Sequence, residues 1–321
     1  MIRDVVSKRS EWLRNLPART ALRYCNRPAV RMRLGERHGA ALHRHGPDLP
    51  ILGPVEAKIV EQLDRDGIAL TSIDRLDLPG SDAMIDTALH LAQRFAAQAR
   101  AEAAAGKMFM IVPPEQIVAH PGIFHWGLED RLLDIVESYI GLPPAYDGVA
   151  INYTVADGKE ISTRKWHQDW EDRRILKVAV YLHDVNEQGG PFQVLSRRDT
   201  LQTDAGGYAY DLADDATLER RFGQDVRHDI ISCTGTRGTI IFADTARLFH
   251  RGKPAIAHDR AALFYSYFAH APRHPFYCER TGMTRRAMYD LASTLPARQR
   301  DAVMWRRRLP ISMRMIPPAT L

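Results

Sequence analysis

The 321-residue chain is 45% hydrophobic and 26% charged, which supplies a sizeable core and excludes wholesale disorder. Its three cysteines, Cys25, Cys233 and Cys278, form no Cys-x-x-Cys pair, which excludes a disulfide scaffold and a structural zinc finger. The net charge of +5 gathers at the ends, in arginines from Arg3 to Arg44 and again at Arg298, Arg300, Arg306, Arg307 and Arg308, flanks that either attract an acidic partner or lie solvated.

Met1 to Leu16 alternates charged and apolar residues, unlike a signal peptide, and no window is long and apolar enough to span a membrane, so a soluble, cytoplasmic protein is expected. Val55, Ile59, Val60 and Leu63 fall at helical spacing before a stop at Gly67. Ile68–Ile73 reads as a short strand. Ser81–Ala105 is alanine-rich and predicts one helix ending near Gly106. Leu128–Ile140 predicts another, with Leu132, Leu133, Ile135, Val136 and Ile140 as its buried stripe and Pro143-Pro144 beyond its end. From Val149 the period changes to that of strands: Val149–Val155, Ile175–Leu182, Pro191–Leu195, Asp229–Cys233, Thr239–Ala243 and Ala261–Ala269, separated by glycine-rich turns. That spacing predicts a barrel or double-sheet jelly roll. A longer excursion, Thr200–Val226, contains a predicted helix at Asp214–Phe222 and is long enough to form a lid, with Tyr208 or Tyr210 placed to pack on a substrate.

The chemistry concentrates at Trp166-His167-Gln168-Asp169. On an extended chain His167 and Asp169 point to one face, offering an imidazole and a carboxylate to a metal. A third ligand has to come from elsewhere in the fold, and His250, just after a later strand, is the candidate. Arg260 opens the strand Ala261–Ala269, and an arginine in an apolar barrel strand needs an anion to offset its desolvation. On Ile175–Leu182, alternation puts Lys177, Ala179 and Tyr181 on one face. If that face lines the barrel, Lys177 and Tyr181 reach the site; otherwise Lys177 snorkels at a sheet edge. His120, His125, His228, His270 and His274 read mostly as surface histidines, and Cys233 and Cys278 as small buried apolar groups.

The stretch Val149–Phe268 resembles the phytanoyl-CoA dioxygenase-like branch of the iron(II)/2-oxoglutarate oxygenases. The matching residues are Trp166-His167-Gln168-Asp169, Lys177 to Val185 with Gly190-Pro191, Asp244-Thr245, Phe249-His250-Arg251-Gly252 and Arg260. The resemblance implies an α+β fold: a double-stranded β-helix (jelly-roll, cupin-like) core with N-terminal helices packed on it. It makes His167, Asp169 and His250 the iron ligands and Arg260 the grip on the distal carboxylate of 2-oxoglutarate, with Asn152 as a further co-substrate contact, joined by Lys177 if its face lines the barrel. Fe(II), 2-oxoglutarate and O2 would act together to oxidise, most simply to hydroxylate, a C–H bond of a small-molecule or carrier-bound metabolite, releasing succinate and CO2.

The chain departs from relatives at Ser196-Arg197-Arg198-Asp199, where many carry Gly-Ser-His, and at Gly252, where some carry serine. Asp169 disfavours a halogenase, which replaces that carboxylate with Ala or Gly. A nucleic-acid demethylase usually shows a second arginine at the position of Ser266. A non-enzymatic jelly-roll binding protein would bind no iron. The expected division is a basic extension over 1–50, the oxygenase domain over 51–275 and a basic helical extension over 276–321.

Overall fold

The computed structural model describes residues 2–196 and 212–319, with side chains from Arg14 onward. Helices α1 (Ile2–Cys25) and α2 (Pro28–His45) come first, followed by α3 (Pro54–Asp66). Pro54 presets the first turn of α3, and Gly67 closes it in the left-handed region at φ +74°, donating its N–H to Leu63 O at 2.8 Å. β1 (Ile68–Ser72) follows, one residue shorter than expected because Ile73 opens the single turn α4 (Ile73–Leu76), capped by Ser72. The helix expected over Ser81–Ala105 is two: α5 (Ser81–Arg94) and α6 (Ala96–Ala104). The break falls at Phe95, whose backbone leaves the helical region.

A two-residue strand, β2 (Met110–Ile111), precedes α7 (Pro114–Ala119), α8 (Pro121–Trp126) and α9 (Asp130–Ile140). The apolar stripe of α9 is buried as expected. β3 runs over Pro144–Thr154, five residues earlier than its alternation suggested, because a bulge between Tyr146 and Val149 resets the pattern. Then come β4 (Leu176–Tyr181), β5 (Phe192–Leu195), α10 (Asp215–Phe222), β6 (Ile230–Cys233), β7 (Thr239–Asp244), β8 (His250–Gly252) and β9 (Arg260–Ala269). The chain ends in α11 (Arg285–Ala292), α12 (Ala297–Val303) and α13 (Ile311–Arg314).

The strands form two antiparallel sheets, β1-β7-β4-β9-β3-β2 and β6-β5-β8. Period-two alternation gives the large sheet two different faces. Outward, Ile151, Val178, Val180, Phe242, Leu263 and Tyr265 join one core with α3, α5 and α9. Inward, Ala179, Tyr181, Ile241 and Ala262 meet Phe192, Val194 and Cys233 of the small sheet. This is the expected double-stranded β-helix with helices packed on it.

Both basic ends join this body. Ala41 and Leu42 of α2 pack against the helical core, and His45 Nε2 lies 2.8 Å from Glu137 Oε1. Arg298 pairs with Asp134 and Glu137, each at 2.7 Å. Arg306, expected in a solvated flank, is buried and donates to Pro275 O. No described helix is long and apolar enough to cross a membrane.

Candidate metal centre

Strand parity aims the site residues. Asn152 and Thr154 of β3, Lys177 of β4, and Arg260, Phe264 and Ser266 of β9 all line one cavity of about 290 Å3 between the sheets. Lys177 pairs with Ser266 across β4 and β9. Because β4 lies between β7 and β9, a sheet-edge position for Lys177 is ruled out.

His167 and His250 meet through an isolated antiparallel bridge: His167 N–H donates to His250 O at 3.1 Å and His250 N–H to His167 O at 2.9 Å. The main chain thereby fixes two residues remote in sequence side by side. Asp169 N–H donates to Thr245 O at 2.9 Å, which holds the carboxylate in line with them. One ligand atom from each of His167, Asp169 and His250 falls within 4.8 Å of the others, and all three residues are buried. The imidazole centroids are 4.2 Å apart. His167 Nδ1 lies 2.8 Å from Lys165 O and His250 Nδ1 3.3 Å from Leu248 O. Protonated Nδ1 donors on these carbonyls leave both Nε2 lone pairs for a metal.

The electrostatics suit a cation. Burial pushes the Asp169 carboxyl up, but Lys177, His250 and Arg280 together hold it well below the ordinary carboxylate range. Burial pushes His167 down to about 4 and His250 well below the ordinary histidine range. The group therefore presents two neutral imidazoles and one ionised carboxylate. Lys177 Nζ bonds Asp169 Oδ2, while Oδ1 is buried without a hydrogen bond and meets Arg280 Nη1 only at 3.5 Å. An under-satisfied buried carboxylate oxygen beside two imidazole nitrogens fits a divalent metal ion.

Arg260 lines the same cavity, 6% exposed. Its Nη1 donates to Gly190 O and its Nη2 lies 3.5 Å from Thr154 Oγ1. Among the described residues no carboxylate pairs with it. Burial alone accounts for most of the lowering of its pKa. Asn152 Oδ1 is also buried without a hydrogen-bond partner. The Tyr181 hydroxyl, by contrast, is engaged: it donates to Cys233 O at 2.6 Å and accepts Phe192 N–H at 2.9 Å.

The glycines in the motif have local reasons. Gly190 sits at φ +69°, and a Cβ there would come within 2.6 Å of Lys253 O. A Cβ at Gly252 would lie 2.9 Å from Arg260 Nη2, so the departure from serine leaves room for the guanidinium.

Other cavity residues were not visible in the sequence. Arg280 and Thr281 arrive from the segment read as a terminal extension, and Arg280 Nε also pairs with Glu171 at 2.9 Å. Arg164 is buried and donates to Met108 O and Asp157, fixing the Met108-Phe109 wall. No periodicity marks these residues; only an unexplained arginine beside a motif could have drawn attention to them. His274, expected at the surface, is fully buried with Nδ1 2.6 Å from Trp170 O.

The far end of the long excursion packs behind the ligands. Trp166 and Ala213 exchange main-chain hydrogen bonds, Trp166 Nε1 donates to Asp215 Oδ1 at 2.6 Å, and Arg251 stacks on the Trp166 ring while pairing with Asp215 at 2.9 Å. The expected lid residues Tyr208 and Tyr210, and the Arg197-Arg198-Asp199 departure, lie outside the described residues.

No family model matches the chain, and no curated protein matches it. Solved structures do. EctD from S. alaskensis with 2-oxoglutarate and 5-hydroxyectoine is 20% identical over 69% of this chain and 79% of that one, at a TM-score of 0.47. HygX from Streptomyces hygroscopicus with nickel and 2-oxoglutarate is 16% identical over 68% and 88%, at 0.42. The epimerase SnoN in complex with Fe3+, alpha ketoglutarate and nogalamycin RO is 17% identical over 83% and 96%, at 0.45. All three of those structures hold the keto acid. Identities and TM-scores this low carry no argument about chemistry, which rests on the site's own residues.

Proposed function

We propose that the protein is an Fe(II)/2-oxoglutarate-dependent oxygenase that hydroxylates an unactivated C–H of a small-molecule or carrier-bound metabolite. The observation that carries this reading is the pairing, in one cavity, of a buried His-Asp-His group with a buried arginine that no described carboxylate neutralises. In this reading His167, Asp169 and His250 hold the iron. Arg260 takes the distal carboxylate of the keto acid through its planar fork. Asn152 and the remaining Nζ protons of Lys177 are further contacts for the co-substrate. With 2-oxoglutarate and O2, iron in such a centre supplies oxidative decarboxylation to succinate and CO2 and the oxidising power for C–H cleavage.

The chain's own contribution is placement. The β-bridge sets the two imidazoles, Lys177 and Arg280 keep Asp169 ionised, and the apolar walls from Phe109, Phe192 and Phe264 keep water from the reacting centre. The test is O2-dependent succinate release from Fe(II)-loaded protein across a panel of small and carrier-bound metabolites. Turnover stimulated by one member of the panel supports the proposal. Keto-acid consumption that is independent of added Fe(II) overturns it.

A further inference from the structure

The chain beyond β9 reaches the cavity wall through Glu279-Arg280-Thr281, and one residue of β3 holds all three. The bulge between Tyr146 and Val149 leaves Asp147 and Gly148 outside the pairing with β9, which frees their polar groups for another partner. The buried Asp147 carboxylate accepts Glu279 N–H on both oxygens at 2.9 Å and Arg280 N–H on Oδ2 at 3.4 Å. The Asp147 carbonyl accepts the Thr281 hydroxyl at 3.3 Å. A Cβ at Gly148, where φ is +93°, would come within 3.2 Å of that hydroxyl, so the glycine lets the two segments close up.

Holding this arrangement is unfavourable on two counts. Glu279 sits in the left-handed region at φ +71°, which a residue with a side chain keeps only where its surroundings hold it there. Burial pushes the Asp147 carboxyl up to about 7, and the charges that bear on it, Glu279 and Glu171, are acidic as well. The donated main-chain N–H groups are what offset that burial.

What the arrangement delivers is Arg280. The left-handed turn at Glu279 separates Cys278, packed with Phe268 and Trp305, from Arg280, which lines the metal cavity. Arg280 Nε lies 2.9 Å from Glu171 Oε1, and its Nη1 lies 3.5 Å from Asp169 Oδ1. Asp169 and Glu171 are both buried, and a guanidinium shared between them offsets their mutual repulsion. Displacing it would turn the Asp169 carboxylate. We infer that Asp147 is a positioning residue for the metal centre, acting through Arg280 to set the orientation of the Asp169 carboxylate. The inference rests on the reading in which His167, Asp169 and His250 hold a metal.

The probe is Co(II), titrated into the full chain and followed by its visible absorption. Asp147→Asn keeps the shape of the side chain and one acceptor oxygen, and loses the second. Co(II) affinity should fall about tenfold in this variant and in Arg280→Gln, the effect of removing a group that orients a metal ligand. The absorption of the bound ion should shift in both. The double variant should bind no more weakly than Arg280→Gln alone, because both changes act on one contact. If Asp147→Asn fails to fold, Thr281→Val, which drops the hydroxyl tie to Asp147 and keeps the side chain's shape, should still weaken Co(II) binding about threefold, the loss of one hydrogen bond. Unchanged Co(II) affinity and absorption in whichever of these variants folds, or additive losses in the double variant, would overturn the inference and leave the iron reading intact. Wild-type protein that binds no Co(II) would overturn both.

Discussion

His250 carries a structural and a proposed chemical duty that substitution separates. Its main chain makes the bridge to His167, so His250→Ala retains the backbone pairing and loses only the imidazole. The expected outcome is a cooperative unfolding transition close to wild type with metal binding greatly weakened. A variant that kept wild-type metal affinity would remove His250 from the ligand set. Arg260→Lys keeps the charge and loses the two-point fork. The affinity for 2-oxoglutarate should fall by roughly one to two decades, about 1.5–3 kcal/mol for a charged contact in a dry site. An unchanged KM for 2-oxoglutarate would shift the anion anchor to another residue, Lys177 first.

The pH dependence of metal binding has a sign fixed by burial. Burial pushes His167 down to about 4 and holds His250 well below the ordinary histidine range. Both are already neutral well above those values, so binding displaces no proton from them near neutral pH. Fe(II) affinity should stay flat from about pH 7.5 to about 5.5 and fall only as the pH approaches His167's own range. A steady fall beginning at about 6.5, the ordinary histidine range, would mean that the imidazoles are more exposed to water than the structure has them.

At the scale of elements, two kinds of position are decisive. Gly190 is needed where β5 begins, because its left-handed backbone brings it against Lys253 O and places its own carbonyl on Arg260. Gly190→Ala should cost about 1–3 kcal/mol of stability and also weaken keto-acid binding, through the displaced carbonyl. Denaturant unfolding alongside 2-oxoglutarate titration checks both. On α9, Leu133 is fully buried in the helix–sheet core and remote from the cavity. Leu133→Ala should lower stability by about 2–5 kcal/mol with the KM for 2-oxoglutarate unchanged. A KM shift there would mean that the helical layer sets the site geometry more directly than the packing suggests.

For the molecule as a whole, period-two alternation was legible in the sequence and carried far. It put Lys177, Ala179 and Tyr181 on one face, which the fold turns inward, and it put Arg260 at the head of the strand that lines the cavity. The motif supplied His167, Asp169 and His250, and the fold brings them together through a β-bridge that no local pattern encodes. What stayed hidden depends on long-range packing. The break at Phe95, the early start of β3 ahead of its bulge, and the burial of His274 and Arg306 are tertiary outcomes. Arg280 enters the site from beyond the last strand, where charge alone read as a solvated tail.

The central claim is that one buried cavity holds iron beside a keto acid. It is tested most directly with isotopically labelled dioxygen and a substrate that supports turnover. The account predicts one labelled oxygen atom in each succinate from wild-type protein, with both succinate and label lost in His250→Ala. Succinate free of label, or labelled succinate produced undiminished by His250→Ala, would contradict it.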